Sequence, residues 1–442
     1  MRIQLVILLL AAPLFAQSDE FRVYTDAPRL LLTPQRLRLL QRERQRDTLR
    51  WNVLDALISG GATLPEPGFA WALYYRASGV PSWGAKAVDW ALSASTTDLR
   101  QLALVFDWCA PAMTAEQNAS LAAKLQRGLS AAATNPDIRQ QRSRVFAAIA
   151  LADRLPDRGE SVLKPIVEQW WRGDIAKKLR VGTPAIPRDQ TYALMELLHA
   201  VRDSLNIDLR EDAPDYFKAL PTDHLEGHYP APYPTAENEY RIPVYVRDGE
   251  PDLTDAALSR AAEFAMVAYD SNALENQFLQ GWLIQDRFLM RGGFGIPYEF
   301  LWANPYQPGL SYFHMPLLYH NSLTGHFFAR TSWDEDATWL GYFDGHLQVF
   351  HDGKVETLKA GAATEPVHVG EAIILSAGAK DATRFRADSE AVFVLNLTPK
   401  SSYNVEIDDQ ELREEETDSG GTMVISLPEG IETGIRVKRR AE

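Results

Sequence analysis

A single cysteine, Cys109, occurs in the 442 residues, so no intramolecular disulfide can form. It falls in helical register with Leu102, Val105 and Phe106, the habit of a packed core thiol rather than of a nucleophile. Long apolar runs are equally scarce. The first, Ile3 to Leu10, follows one charge, Arg2, and leads into Leu14-Phe15-Ala16-Gln17. It is too short to span a bilayer and reads as a secretory signal peptide over residues 1–17, cleaved after Ala16. No later stretch reaches the roughly 18 uncharged apolar residues of a membrane span. The mature chain is therefore expected in the periplasm or outside the cell, with no membrane partner and no lipidated cysteine to anchor it. Basic residues are also in deficit. Lys and Arg number 45 against 59 Asp and Glu, a formal charge of −14, and loss of Arg2 leaves 44 against 59, or −15. Such a balance argues against nucleic acid as a partner. A polyanionic sugar would need a site with its own basic lining. The acidic run Asp408 to Asp418 reads as a solvated face. The chain also lacks a fixed-period repeat and a Gly-x-Ser-x-Gly elbow, which removes regular repeat families and the hydrolase triad built on that elbow. Gly292, Gly293 and Gly295 lack the strand-before, helix-after context of a phosphate loop.

What is present is a change of period. From Thr33 to about Asn206 apolar residues recur at helical spacing between short breakers. Thr33-Pro34 supplies an N-cap and a first-turn proline, and Thr114 with Gln117 makes a capping box ahead of Leu121, Leu125 and Leu129. Further helices are expected at about Phe69–Ser78, Ser82–Ser93, Thr97–Trp108, Asp137–Arg154, Ser161–Leu179, Arg188–Leu205, Asp252–Asp270 and Asn276–Met290. Short links between such helices make hairpins, and hairpins in series suggest an incomplete α/α toroid. From His326 the period becomes two. About seven short strands, with turns at Asp352-Gly353 and Gly420-Gly421, suggest an antiparallel β-sandwich. The expected organisation is a toroid domain over 18–315 and a β-sandwich domain over 316–442, an α+β multidomain chain.

Chemistry concentrates between the helical blocks. The stretch Leu220 to Pro243 shows neither period, and a loop of that length inside a compact domain is usually functional. It carries His224, Glu226, His228, Tyr229, Tyr233, Glu237, Asn238, Glu239, Tyr240 and Arg241, enough for acid–base work on a sugar. The bland alternative is a proline-stiffened connection whose tyrosines pack. His224 and His228 are four apart, but Gly227 and Pro230 oppose a helix there, and no metal or cofactor is assigned. Asp286 lies on the buried stripe of Phe278, Leu279, Trp282 and Leu283. It is either paired with a neighbour such as Arg287 or Arg291, or it faces a cavity. Tyr298, Trp302 and Tyr306, spaced by four, form either a sugar-stacking wall or a seam between domains. His346 and His351 flank one expected strand, where a sandwich would overhang the toroid.

Three segments carry a family resemblance: Pro28-Arg29-Leu30-Leu31-Leu32-Thr33-Pro34, Leu102-Ala103-Leu104-Val105-Phe106-Asp107-Trp108, and Ala329-Arg330-Thr331-Ser332-Trp333-Asp334-Glu335-Asp336-Ala337-Thr338-Trp339. In these the chain resembles the heparinase II/III-like proteins, related to polysaccharide and alginate lyases. The resemblance implies a toroid followed by a sandwich, and β-elimination on chains containing uronic acid. One group takes the C5 proton, another neutralises the carboxylate, and an acid protonates the leaving oxygen. Carried onto this sequence, Tyr240 is the acid and possible base, His228 the base or orienter, and Arg241 the carboxylate neutraliser, with Glu239 beside them. His224, Tyr233, Glu237, Asn238, Trp282, Tyr298, Trp302 and His346 are the substrate-binding candidates. Two departures weigh against transferring the activity. The family's Asn-His pair has no counterpart at Asp137 to Arg142, and its histidine-rich strand is replaced by Gly345 to Asp352. A toroid glycoside hydrolase using two of Glu226, Glu237, Glu239 and Asp286, and a non-catalytic glycan-binding protein, therefore stay open. The partner expected in all three cases is a polysaccharide or oligosaccharide. The sequence is silent on oligomeric state.

Overall fold

A computed structural model describes residues 19–131, 135–233, 241–247, 249–286, 290–358, 366–370, 372–376, 383–386, 391–409 and 411–440. The helices are α1 (Pro34–Gln45), α2 (Leu49–Ser59), α3 (Pro67–Ser78), α4 (Pro81–Leu92), α5 (Leu99–Trp108), α6 (Ala115–Ser130), α7 (Ile138–Ala150), α8 (Glu160–Pro165), α9 (Ala176–Arg180), α10 (Thr191–Leu205), α11 (Pro214–Glu226), α12 (Leu253–Tyr269), α13 (Leu274–Gln285) and α14 (Gly292–Trp302). A π-helical stretch, Ile166–Ile175, joins α8 to α9. Side-chain oxygens of Thr33, Thr48, Asp98, Thr114 and Asp137 accept the orphan backbone N–H groups of five helix starts, which is why the breaker residues are what they are. Among the described residues no helix is long and apolar enough to cross a membrane.

The helices pack in a sequence that returns on itself. α3 packs on α5, α5 on α7, α7 on α10, α10 on α12, α12 on α14, and α14 on α2 and α3. Between them lies a buried polar knot. Glu196 accepts Arg100 (2.6 Å), Arg142 and the Tyr192 hydroxyl, and Arg100 also reaches Glu66 at 3.0 Å. Trp302 Nε1 donates to the Tyr192 hydroxyl at 2.9 Å. Each buried charge is thus partnered, the condition for holding charge away from water. The segment before α1 is clasped to α5. Asp107 Oδ2 accepts the N–H groups of Arg29 and Leu30, both at 2.8 Å, and Trp108 Nε1 donates to the Leu30 carbonyl, also at 2.8 Å. Burial pushes the Asp107 carboxyl up to about 6 against these two backbone donors. Cys109 is buried beside it, its thiol pushed up to about 12 by the same burial.

The strands are β1 (His228–Pro232), β2 (Arg241–Pro243), β3 (Leu318–Asn321), β4 (His326–Arg330), β5 (Trp339–Phe343), β6 (His346–His351), β7 (Lys354–Leu358), β8 (Val367–Val369), β9 (Ala372–Ser376), β10 (Thr383–Arg386), β11 (Ala391–Leu395), β12 (Ser402–Ile407), β13 (Glu411–Glu416), β14 (Met423–Ser426) and β15 (Glu432–Arg439). β1 and β2 form a hairpin, and the others form sheets ordered β3-β4-β5-β6-β7, β14-β11-β9-β8 and β10-β15-β12-β13. Among the described residues the strand pairings are antiparallel except β9 with β11. Alternation along the strands layers the sheets. Phe327, Ala329, Leu340 and Tyr342 meet Ala372, Ile374, Phe393 and Leu395, whereas Ile373, Val392 and Val394 face the third sheet through Val405, Ile407 and Ile435. The opposite face of the first sheet, Phe328, Trp339, Phe343 and Phe350, covers Tyr229 and Ile242 of the hairpin.

Several elements differ from expectation. The first third of the stretch read as a loop, Leu220 to Glu226, is the end of α11. Pro221 sits inside that helix, because Phe217, Leu220 and Leu225 keep a buried stripe whose packing outweighs one missing N–H. His228 to Pro232 and Arg241 to Pro243 then pair as a hairpin rather than staying irregular. Gly292 to Trp302 is helical although glycine-rich, since it is pinned through Tyr298, Phe300 and Trp302 in the core. β3, β10 and β13 were not anticipated; β13 lies in the acidic run, paired with β12.

Candidate functional site

A cleft of about 640 Å³ lies where the helices meet the first sheet. One wall is the segment 182–191 leading into α10. The floor comes from α11 (Tyr216, Leu220, Asp223, His224) and the start of α12, the second wall from 242–247, and the roof from Thr324, His326, Phe328, Phe343 and Asp344. Its volume lies in the range of ~300–1,000 Å³ usual for small-ligand pockets.

The floor is built on the C-terminal turn of α11, whose carbonyls attract donors as a helix C-terminus should. The His224 carbonyl accepts Arg188 Nη2 at 3.0 Å and His228 Nδ1 at 2.6 Å. The Glu226 carbonyl accepts Arg330 Nη2 at 3.1 Å and Trp339 Nε1 at 3.2 Å. Arg330 also pairs with the Glu226 carboxylate at 3.0 Å and lies over the Trp333 ring. Burial pushes the Glu226 carboxyl up to about 7, and Arg330 pulls against it.

Behind the floor, Glu263 addresses two imidazoles. Its Oε1 lies 3.6 Å from His224 Nδ1 and 3.3 Å from His228 Nε2, and accepts Ser259 Oγ at 3.1 Å. Burial, followed by the Arg188 charge, holds the His228 pKa well below its ordinary value, and its Nδ1 is bonded to the His224 carbonyl. Burial, followed by the nearby Arg188 charge, lowers the His224 pKa below its ordinary value, so the ring is neutral at pH 7. With Nδ1 turned to Glu263, the other nitrogen, Nε2, has no hydrogen bond among the described residues at the cleft wall. The ring thus lies within ion-pairing range of Glu263, its Nδ1 making no hydrogen bond among the described residues, on the wall of the cleft.

On the roof, His326 sits between Asp223 (Nδ1 to Oδ2, 3.6 Å) and Asp344 (Nε2 to Oδ1, 3.9 Å). Burial opposes its charge, but the two carboxylates outweigh it and push the pKa up to about 9. His326 is therefore an imidazolium at neutral pH. Burial, then Asp223 and Asp344, raise the Tyr216 phenol well above its ordinary value, so it too keeps its proton. The cleft contains more acids than bases, yet most are engaged. Asp189 pairs with Arg139 (2.5 Å), Asp252 with Arg247 (3.5 Å), and Asp223 and Asp344 hold His326. Arg188, which donates to Ser259 Oγ at 3.2 Å and to the His224 carbonyl, has no carboxylate within ion-pairing distance among the described residues.

Of the residues picked from sequence, His224 lines this cleft. His228 stands behind it, against Glu263 and the Trp282 ring (centroids 4.5 Å apart). Arg241 does not line it. Its charge is taken by Asp286 at 3.1 Å, and its Nε donates to the Pro230 carbonyl. Asp286 is also bound by Arg260, and of the neighbours expected to pair with it Arg287 lies outside the described residues. Trp282, Tyr298 and Trp302 are buried in the helical core rather than on a sugar wall or a seam between domains. Tyr233 packs against the hairpin and sheet cluster, and His346 bonds the Asp344 carbonyl at 2.9 Å, beside the cleft. Glu237, Asn238, Glu239 and Tyr240 lie outside the described residues, as does the signal segment. Arg188, Tyr216, Glu263, His326 and Asp344 were missed. Arg188 and Glu263 read as ordinary members of helical segments; only pairing across the fold reveals them.

No family model matches the chain, and no curated protein matches it.

Proposed function

We propose that this is an exported glycan-processing protein of the lyase type, in which an α/α toroid and a β-sandwich close over a uronate-binding cleft. The closed order of helix packing, from α3 through α14 and back, is what a toroid requires. The layered sheets are what a sandwich requires. The observation that carries the chemistry is the meeting, in one cleft, of an arginine without a carboxylate partner among the described residues, a neutral histidine close to Glu263, and a charged histidine on the roof. Arg188 pairs with the uronate carboxylate and stabilises the charge that develops there as the C5–H bond breaks. His224 Nε2 receives the C5 proton. His326 gives a proton to the departing glycosidic oxygen, leaving a C4–C5 double bond on one product and a hydroxyl on the other. The roles first assigned to His228 and Arg241 thus pass to His224 and Arg188, with Glu263 and His228 as positioning residues. Tyr240 remains a candidate proton donor on the segment leading into β2.

The test is incubation of the purified protein with uronate polymers and oligomers, followed in the ultraviolet for unsaturated products. His224→Ala is expected to lower kcat by roughly 10²–10⁴-fold. An unchanged rate in that variant would remove the assignment. Asp255, at the cleft mouth, favours a second reading as a hydrolase, since burial and the neighbouring Asp252 and Asp189 raise its pKa. New reducing ends without a double bond, lost in Asp255→Asn, would select it.

A further inference from the structure

We infer that the cleft is blind and takes the end of a glycan chain, recognising one terminal uronate rather than a continuous polyanion. The inference rests on the glycan reading above but adds a length and charge requirement to it.

The first observation is closure at the two flanks. On one flank Gly182 (φ +70°) lies so close to the β3–β4 turn that a Cβ there would stand 1.6 Å from the Leu323 carbonyl oxygen. In the same seam Gly325 and Gly420 meet backbone to backbone, a Cβ on Gly325 falling 2.1 Å from the Gly420 Cα. Lys400 Nζ donates to the Val181 carbonyl at 2.7 Å. Gly182, Thr183 and Thr324 line the cleft at that end, so wall and roof join there with no room for a sugar ring. On the other flank Gln348 Nε2 donates to the Tyr245 carbonyl at 2.9 Å, and the Tyr229 hydroxyl donates to Gln348 Oε1 at 2.8 Å. The second wall is therefore fastened to the sheet as well. A polymer threading the cleft would need both seams open.

The second observation is the charge of the remaining rim. Asp189, Asp252 and Asp255 line the mouth, with Arg139 paired to Asp189 and Arg247 to Asp252, so that the three acids and two arginines leave one net negative charge there. Arg188 stands with His224 further in. The anion anchor is inside and the acids are outside. A single carboxylate reaching Arg188 gains an ion pair, whereas further carboxylates along the chain meet like charge at the rim. The ligand class that fits is a short oligosaccharide, or a chain whose terminal uronate is followed by neutral sugars.

The experiment is calorimetric titration of the whole protein with two length series, oligouronates and neutral oligosaccharides of two to eight units, at low and high salt. Early products from a long polymer are sized in parallel by mass spectrometry. Expected is an oligouronate affinity that levels off by about the third unit, each further unit changing Kd by less than about twofold. High salt should improve the longest members relative to the shortest. The double variant Asp189→Asn with Asp255→Asn should tighten the eight-unit oligouronate several-fold at low salt and leave the two-unit one nearly unchanged. Affinity that climbs steadily to eight units, or early products of mixed length, overturns the blind cleft while leaving the uronate reading intact. Levelling-off in the neutral series alone upholds the blind cleft and removes the terminal uronate. Binding of neither series removes both.

Discussion

His224 shows how little of a side chain's role resides in its own identity. As one of two histidines four apart it suggests a weak metal pair. Placed on the last turn of α11, with Glu263 3.6 Å from Nδ1 and the ring lining the cleft, it stands where the proposed base is needed. Its pKa is lowered, so it is unprotonated over a wider range than a free imidazole. The acidic limb of kcat/KM is therefore expected below pH 6.5, the ordinary histidine value, and a pH–rate profile checks it. Glu263→Gln should distort that profile more than it weakens ligand binding. A second residue-scale expectation concerns Asp107. Asp107→Ala strands two buried backbone N–H groups and should cost on the order of 2–4 kcal/mol in denaturant unfolding, with Asp107→Asn costing less because one acceptor oxygen remains. Asp107 also shows what the resemblance rested on. Pro28 to Pro34 and Leu102 to Trp108, far apart in sequence, are the two halves of one clasp, and Arg330, Trp333 and Trp339 fasten the sheet to α11. Those motifs report architecture, and none of them supplies the proposed base or anion anchor.

Elements were legible where one period held for several turns. Capping at Thr33, Thr114 and Asp137 fixed the starts of α1, α6 and α7, although the helix begun at Thr33 breaks at Arg46–Thr48 instead of running on to Ser59, and Asp352-Gly353 adopts the doubly positive φ of the hairpin turn it signals. Legibility failed where packing overrode local preference, as at Pro221 inside α11 and the glycines of α14. It failed again where partners are distant, since Gln348 and Tyr229, which lock the hairpin under the sheet, are 119 residues apart. The wall segment offers an element-scale prediction. Gly182→Ala combines a positive φ with a Cβ inside van der Waals contact of the Leu323 carbonyl. It should destabilise the protein by more than about 1 kcal/mol, read as a lower Tm. Gly61→Ala, also at positive φ but with open space around its Cβ, should cost less.

At the scale of the whole molecule, helices and sheet are joined by charge as well as by apolar contact. His326 belongs to the sheet, Asp223 to the helices, and Asn321 Nδ2 adds a bond to Asp223 at 3.0 Å. The folded-state pKa of His326, about 9, exceeds its unfolded value near 6.5. Its contribution is therefore complete below about pH 6.5 and lost as pH rises through about 9. Chemical denaturation from pH 6 to 10 should show that loss, and His326→Gln should flatten it. Arg330→Ala, which leaves Glu226 buried without its cation, is expected to cost roughly 3–5 kcal/mol.

The two donors that the first sheet sends to the Glu226 carbonyl hold the same helical turn that aims His224. Docking of the strands and readiness of the imidazole are in consequence one equilibrium. In the proposed mechanism a helical half severed from its strands would be an inert scaffold, although His224 and Arg188 both belong to it. Loss of turnover on warming should accordingly track the parting of the two halves, ahead of any melting of the helices themselves.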